Sequence, residues 1–183
     1  DMLESLHDRY NNTSFIEPDP ISVPHSFSST LDREIAGFMA STIAWGNRKA
    51  IDKSAHRMLQ YLDNSHYEFG VNASDKELDH LRSYVHRTFN GDDFRDFVLG
   101  LRHIIKQWGS LGGFFEDCYE RSGDMRIVLS EFRREFFRHD HNQRCEKHLS
   151  SIDRGAACKR LCMYLRWFVR KDDRGVDFGQ WQG

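Results

Sequence analysis

The sequence predicts an all-α protein. Apolar residues recur at helical spacing in several long segments, and no alternating run of β-branched residues bounded by turns is long enough to form a reliable strand. All three prolines, Pro18, Pro20 and Pro24, lie in the first 24 residues, so the rest can run as successive helices. With 183 residues, 39% of them hydrophobic and 30% charged, the chain has globular composition. We therefore expect a multi-helix bundle.

Residues 1–30 are predicted as an extended lead-in, because residues 11–30 hold every proline and many Ser and Asn residues. A helical domain is predicted over residues 31–183, either as one body or as two lobes that share a cleft. Its first helix should start at Thr30 or Asp32 and turn Ile35 and Phe38 inward. This helix is mostly apolar, so we expect it to be central.

Gly46 interrupts that helix, and an amphipathic helix resumes with Ile51, Ala55 and Met58 on its inner face. Trp45, Asn47 and Arg48 are therefore expected at a junction between two helices. Trp45, Asn47 and Arg48 could line a pocket for a flipped base, since an aromatic ring can stack on the base and an amide suits its edge, but Trp45 could equally be a core anchor.

Four further helices are predicted before the final one. A short helix should lie near residues 76–85. A longer one should follow the Asn90-Gly91 turn, with Asp92 or Asp93 as its N-cap and with Phe94, Phe97 and Leu101 on one apolar face. Ser110 should cap a short helix. The last of the four, over residues 124–139, should bury Ile127 and Phe132.

The final helix is predicted over residues 156–169, with its cysteines and Val169 in the core. The polar stretch 139–154 contains a His139-Asp140-His141 tract, which we interpret as a solvated loop and not as a metal site, because the two histidines lack i, i+4 spacing and further ligands. The cysteine spacings match no iron–sulfur loop, so no cofactor is expected.

The overall charge and hydropathy favour a soluble, cytoplasmic protein. No apolar run reaches the roughly 18 residues that a membrane helix needs, and the first ten residues show no signal-peptide pattern. The net charge of −2 gives no global attraction to nucleic acid. Basic residues nevertheless concentrate between positions 154 and 171, which is typical of a surface that holds a phosphate backbone but also of a solvated helix face. They are Arg154, Lys159, Arg160, Arg166, Arg170 and Lys171.

Lys159 and Asp177 are the candidate catalytic residues. Lys159 lies at the start of an apolar helix, where neighbouring cations and the positive end of the helix favour the neutral amine that nucleophilic attack requires. An aspartate across a pocket could stabilise a cationic sugar. The alternative is that Lys159 is simply solvated and that the spacing of eighteen residues is a coincidence.

The segment GAACKRLCMYLRWFVR followed by GVD resembles the hairpin-and-lysine segment of the helix-hairpin-helix DNA glycosylases. In this resemblance Gly155 corresponds to the first hairpin glycine, Lys159 to the Schiff-base lysine and Asp177 to the catalytic aspartate. The stretch FRDFVLGLRHIIKQWGSLGGFFE is similar to a Phe-rich stretch of the archaeal 8-oxoguanine glycosylase branch. The whole chain also resembles an uncharacterised family of conserved bacterial proteins that carry EPDPI, PHSFS, HRTF and ACKRLCMYLRWFVRKDDRGVDFGQW.

The resemblance implies a DNA glycosylase/AP lyase that acts on double-stranded DNA through a lysine Schiff base. Arg154, Gly155, Arg160, Arg166 and Arg170 would contact the DNA. The related proteins continue into a segment with another aspartate, so this chain is expected to be C-terminally truncated, and that aspartate is an alternative to Asp177. Two other functions stay open: a DNA-binding protein of the same fold without the chemistry, and a helical protein-interaction domain.

Overall fold

The computed structural model describes residues 1–182 and confirms an all-α, multi-helix fold. The α-helices are α1 (Met2–Tyr10), α2 (Ser22–His25), α3 (Thr30–Thr42), α4 (Arg48–Gln60), α5 (His66–Asn72), α6 (Asp75–His80), α7 (Gly91–Trp108), α8 (Leu111–Ser122), α9 (Met125–Phe136) and α10 (Lys159–Val169). Short 3-10 helices cover Thr13–Phe15, Leu81–Ser83, Gln143–His148 and Ile152–Arg154.

Helix α3 is central, as its apolar sequence predicts. It packs against α2, α4, α5, α8 and α10, and its residues from Glu34 to Thr42 are all buried. Phe38 is the middle of an aromatic core, with the rings of Phe97, Phe132, Phe136 and Tyr164 centred 5.4 to 6.2 Å away. Edge-to-face and offset pairs of this kind add to the free energy of burial.

The lead-in is not extended throughout. Residues 1–30 contain α1 and α2, and α1 buries none of its residues. Polar side chains attach α1 to the C-terminal segment: Arg174 donates to Asp8 over 2.6 Å, and Asn11 donates to Asp172 over 2.9 Å. Because α1 is attached by polar contacts and buries no apolar face, its nine residues show little of the apolar periodicity by which helices are recognised in a sequence.

A small antiparallel hairpin precedes α7 and was not predicted. Strand β1 (Val85–His86) pairs with β2 (Phe89–Asn90), with Val85 opposite Asn90 and His86 opposite Phe89. Each strand has two residues, too few to display the alternation by which strands are recognised.

Three positions expected in the core are exposed. Ile127 and Val169 are 44% and 37% exposed, and Cys162 is exposed although Cys158, one turn earlier, is buried. Ile127 lies in the first turn of α9, and Val169 is the last residue of α10. Both positions are at helix ends, where fewer neighbouring elements cover a side chain. The His139-Asp140-His141 tract is also less solvated than expected, because His139 and His141 are half-buried.

Segment 176–181 lies along the C-terminal half of α10. The Phe178 N–H donates to the Trp167 carbonyl over 2.6 Å, and the Trp181 N–H donates to the Phe168 carbonyl over 2.9 Å. The Trp181 indole continues into the core and donates to Glu34. The residues after α10 are therefore part of the packed structure.

Candidate functional site

Lys159 is the first residue of α10 and is exposed to solvent. The chain reaches it through two left-handed residues, Gly155 with φ 79° and Cys158 with φ 47°. Glycine adopts this conformation freely, whereas Cys158 adopts it at a cost. No side chain caps this helix end. The first turn of α10 therefore has N–H groups without a side-chain cap, and its first residue carries an exposed amine.

The next residue, Arg160, points inward. Its guanidinium donates to the Thr42 carbonyl at the end of α3 and, over 3.1 Å, to the His148 carbonyl. Burial lowers the pKa of this guanidinium, and no carboxylate within residues 1–182 forms an ion pair with it. Arg160 was predicted to contact DNA, but in the structure it joins α3 to α10.

Trp45 lies against the same place. The Arg160 guanidinium is 5.0 Å from its ring centre, the His148 ring stacks on it at 6.1 Å, and the His86 ring meets it edge-on at 5.4 Å. Trp45 is half-buried. The junction that the sequence placed between two helices therefore lies beside the start of α10, and Trp45 is also anchored there.

His148 is held by Asp93, a contact that sequence analysis did not find. Nε2 of His148 lies 3.2 Å from Oδ2 of Asp93, and both residues are buried. Burial raises the pKa of Asp93, but hydrogen bonds from His148, the Asn90 N–H and Arg144 outweigh it and hold the pKa below 3.8. The two residues are 55 positions apart, so no local pattern could have paired them.

The structure does not bring Lys159 and Asp177 together. The Asp177 side chain is fully buried, with Nε of Arg170 at 2.6 Å and Nε of Arg166 at 3.5 Å from its Oδ2. These arginines belong to the last turn and the C-cap of α10. At about 1.5 Å per residue, they lie roughly 10 to 16 Å along the axis from Lys159.

Asp177 is instead the centre of a balanced charge cluster. Burial raises the pKa of its carboxyl, and Arg166 and Arg170 partly oppose that rise. Arg170 also pairs with Asp172 at 3.5 Å. Arg166 and Arg170 were predicted to contact phosphates, but their charges are engaged by acids of the chain.

The remaining predicted residues surround the two helix starts. Asn47 caps α4 through its side-chain oxygen, which accepts from the Ala50 N–H over 3.2 Å. Arg48 is exposed and lies 6.0 Å above the Phe15 ring. Arg154 and Gly155 are both exposed just before α10. Trp45, Asn47, Arg154, Gly155 and Lys159 are thus near the N-terminal ends of α4 and α10.

Residues 1–182 contain no group of three or more His, Cys, Asp or Glu side chains that could hold a metal ion. Among the described residues, no helix combines the length and apolarity needed to cross a membrane.

The family of the chain follows from its sequence match. The family described as "Protein of unknown function (DUF2400)" matches residues 19–183. The chain belongs to this family. The match covers α2 to α10, so the DUF2400 region includes the Trp45 junction, the hairpin and the start of α10. No curated protein and no solved structure matches the chain.

Proposed function

We propose that the protein is a DNA glycosylase/AP lyase that uses Lys159 as its nucleophile. One observation carries this proposal: Lys159 is exposed, forms no ion pair within the described residues, and starts a helix whose next residue contacts Trp45. Lys159 is thus one residue from the side chain that contacts a half-buried aromatic ring, a placement that suits attack on a nucleotide whose base is held outside the duplex.

In the proposed reaction the neutral amine of Lys159 attacks C1′ of the damaged nucleotide. The N-glycosidic bond breaks, and its electron pair leaves with the base, which takes up a proton. Opening of the sugar ring then gives a Schiff base between Lys159 and C1′. Loss of a C2′ proton expels the 3′ phosphate, which is the lyase step. Asp177 has no part in these steps, because its carboxylate lies at the other end of α10.

The second candidate is a DNA-binding protein of the same fold that performs no chemistry. It is favoured by the lack of a carboxylate paired with Lys159 within residues 1–182, since a carboxylate normally assists such reactions. The third candidate, a helical interaction domain, predicts no affinity for DNA even at low salt.

Borohydride trapping on a duplex that contains an abasic site tests the first candidate without knowledge of the damaged base. We expect the wild-type protein to form a covalent adduct and Lys159→Gln to lose it. Lys147→Gln is the matched control, because Lys147 is also exposed and without an ion pair among the described residues. An equal loss in both variants, or an undiminished adduct in Lys159→Gln, would contradict the assignment. Duplex binding without any adduct would support the second candidate.

A further inference from the structure

The tip of the β1–β2 hairpin lies against the turn that carries Trp45. Arg87, at the tip, has a left-handed backbone with φ 55° and an exposed side chain. Its guanidinium occupies the space beside Gly46: a Cβ added to this glycine would lie 2.5 to 2.9 Å from three guanidinium atoms. Gly46 itself has φ 98°. The absence of a side chain at Gly46 therefore allows Arg87 to lie directly on the turn.

The hairpin is fixed in this position by contacts on both sides of the tip. Arg144 donates to the Thr88 carbonyl over 2.9 Å and pairs with Asp93 at 2.5 Å. Arg57 donates to the Val85 carbonyl over 2.5 Å. The His86 ring meets Trp45 edge-on. Arg87 is thus presented from a rigid support and not from a free loop.

These contacts bring three separate segments close together, and we call their exposed residues, with the half-buried Trp45, the basic surface: Trp45–Lys49, Arg87–Thr88 and Lys159. The hairpin joins the first segment through Gly46, and Arg160 joins the third segment to Trp45.

The cations of the basic surface have no acidic partners. Among residues 1–182, no ion pair involves Arg48, Lys49, Arg87 or Lys159. Several arginines elsewhere on the protein are paired with neighbouring acids, although Arg126 is not within the described residues; examples of the pairs are Arg82 with Asp92 at 2.6 Å, Arg121 with Asp117 at 3.1 Å and Arg138 with Glu135 at 2.8 Å. On a protein with a net charge of −2, unpaired cations gathered at one place create a local positive field.

We propose that Arg87 contacts a phosphate of duplex DNA and that the β1–β2 hairpin is part of the DNA-binding surface. This inference rests on the proposed function for the choice of DNA as partner. A guanidinium matches the geometry of a phosphate, and the adjacent Trp45 provides an aromatic surface at the same site. Contacts with phosphates position a protein on the duplex and contribute affinity that falls with salt.

Fluorescence anisotropy with an undamaged duplex at several salt concentrations tests this proposal. We expect Arg87→Gln to bind about five-fold more weakly near 0.1 M salt and to reduce the salt slope of the affinity by about one, the change expected for one lost phosphate contact. Arg87→Lys keeps the charge and should retain most of the slope. The matched control is Arg126→Gln: Arg126 is exposed, without an ion pair in the described chain, and follows Met125, which lines a groove with Val169 at the opposite end of α10.

The binding measurement is independent of catalysis, so its failure differs from failure of the proposed chemistry. If Lys159→Gln abolishes trapping while Arg87→Gln binds with an unchanged slope, the reaction stands and the role of Arg87 is wrong. If Arg87→Gln and Arg126→Gln weaken binding equally, the affinity comes from general charge, which also overturns the role of Arg87. Thermal unfolding of each variant shows whether Arg87→Gln remains folded.

Discussion

The substitution Trp181→Phe tests the buried contact that holds the last described segment against α3. The Trp181 indole N–H donates to Oε1 of Glu34 over 2.8 Å, and the Gly112 N–H donates to Oε2 over 3.0 Å. Glu34 is 4% exposed and Trp181 is 3% exposed. Phenylalanine preserves most of the stacking on Phe168 but removes the indole donor, so the variant isolates the hydrogen bond.

The free energy of unfolding should depend on pH in a defined direction. Burial raises the pKa of Glu34, and the hydrogen bonds from Gly112 and Trp181 oppose only part of that rise, so the pKa stays above 4.5. Loss of the indole donor therefore raises the folded-state pKa further. When folding raises the pKa of a carboxyl, the free energy of unfolding falls as the pH rises from the unfolded-state pKa to the folded-state pKa. This fall should be larger in the variant than in the wild-type protein.

The size of the effect follows from these contacts. Below pH 4.5 Glu34 is protonated in both proteins, and the smaller ring and the lost neutral hydrogen bond should cost about 1–2 kcal/mol. Once the Glu34 carboxyl is ionised at higher pH, the lost bond would have been to a charged carboxylate, and the cost should grow to about 2–4 kcal/mol. For a chain of this length this corresponds to a decrease in Tm of about 10 °C.

Urea unfolding at pH 4 and pH 7 measures this difference. The control is Trp108→Phe, because Trp108 packs edge-on against Phe114 and its indole forms no hydrogen bond within the described chain. We expect the cost of Trp108→Phe to be the same at both pH values. If the cost of Trp181→Phe is also the same at both, the indole does not stabilise the Glu34 carboxylate and the reasoning is refuted.

Three further outcomes are expected from other buried positions. Gly100→Ala should destabilise the protein by about 1–3 kcal/mol in urea unfolding, because a Cβ there would lie 2.8 Å from both the ring and the carbonyl oxygen of Phe136. Gly70→Ala should instead stabilise it by about 0.5 kcal/mol, since the nearest atom, Cδ1 of Ile105, is 3.8 Å away and alanine favours the helix; destabilisation there would contradict the packing described. Burial lowers the pKa of His66 from 6.5 to about 4, so stability should decrease by about 3 kcal/mol as pH falls from 6.5 to 4, and His66→Phe should remove this dependence from the unfolding free energy.

Helical spacing predicted which residues of the long helices are buried, because the buried face of such a helix repeats with the helical period. In α7, Phe94, Phe97 and Leu101 are buried as expected. The N-cap was less certain, because several adjacent residues can cap a helix. Asp92 or Asp93 was predicted, but Asn90 is the N-cap, and the Asn90 N–H donates to the Asp93 carboxylate over 2.9 Å.

The candidate site was predicted only in part, because contacts between distant segments leave no mark in local spacing. The junction at Trp45 and the start of α10 at Lys159 were both located from the sequence, yet their contact depends on Arg160, whose inward direction no spacing reveals. The distance between Lys159 and Asp177 was not predictable from their spacing of eighteen positions. Lys159 lies at one end of α10, and the chain reaches Asp177 only after it has run to the other end of that helix. The hairpin with Arg87 was too short to recognise.

The inward guanidinium of Arg160 has a mechanical consequence. It fastens the last carbonyl of α3 to the first turn of α10 and covers one side of Trp45, so the junction and the helix start behave as a single stiff part. A displacement of Trp45 would therefore also displace the backbone of Lys159, because Arg160 contacts Trp45 and is the next residue after Lys159. One side chain, Arg160, therefore makes the relative positions of Trp45 and Lys159 insensitive to the motion of the loops around them.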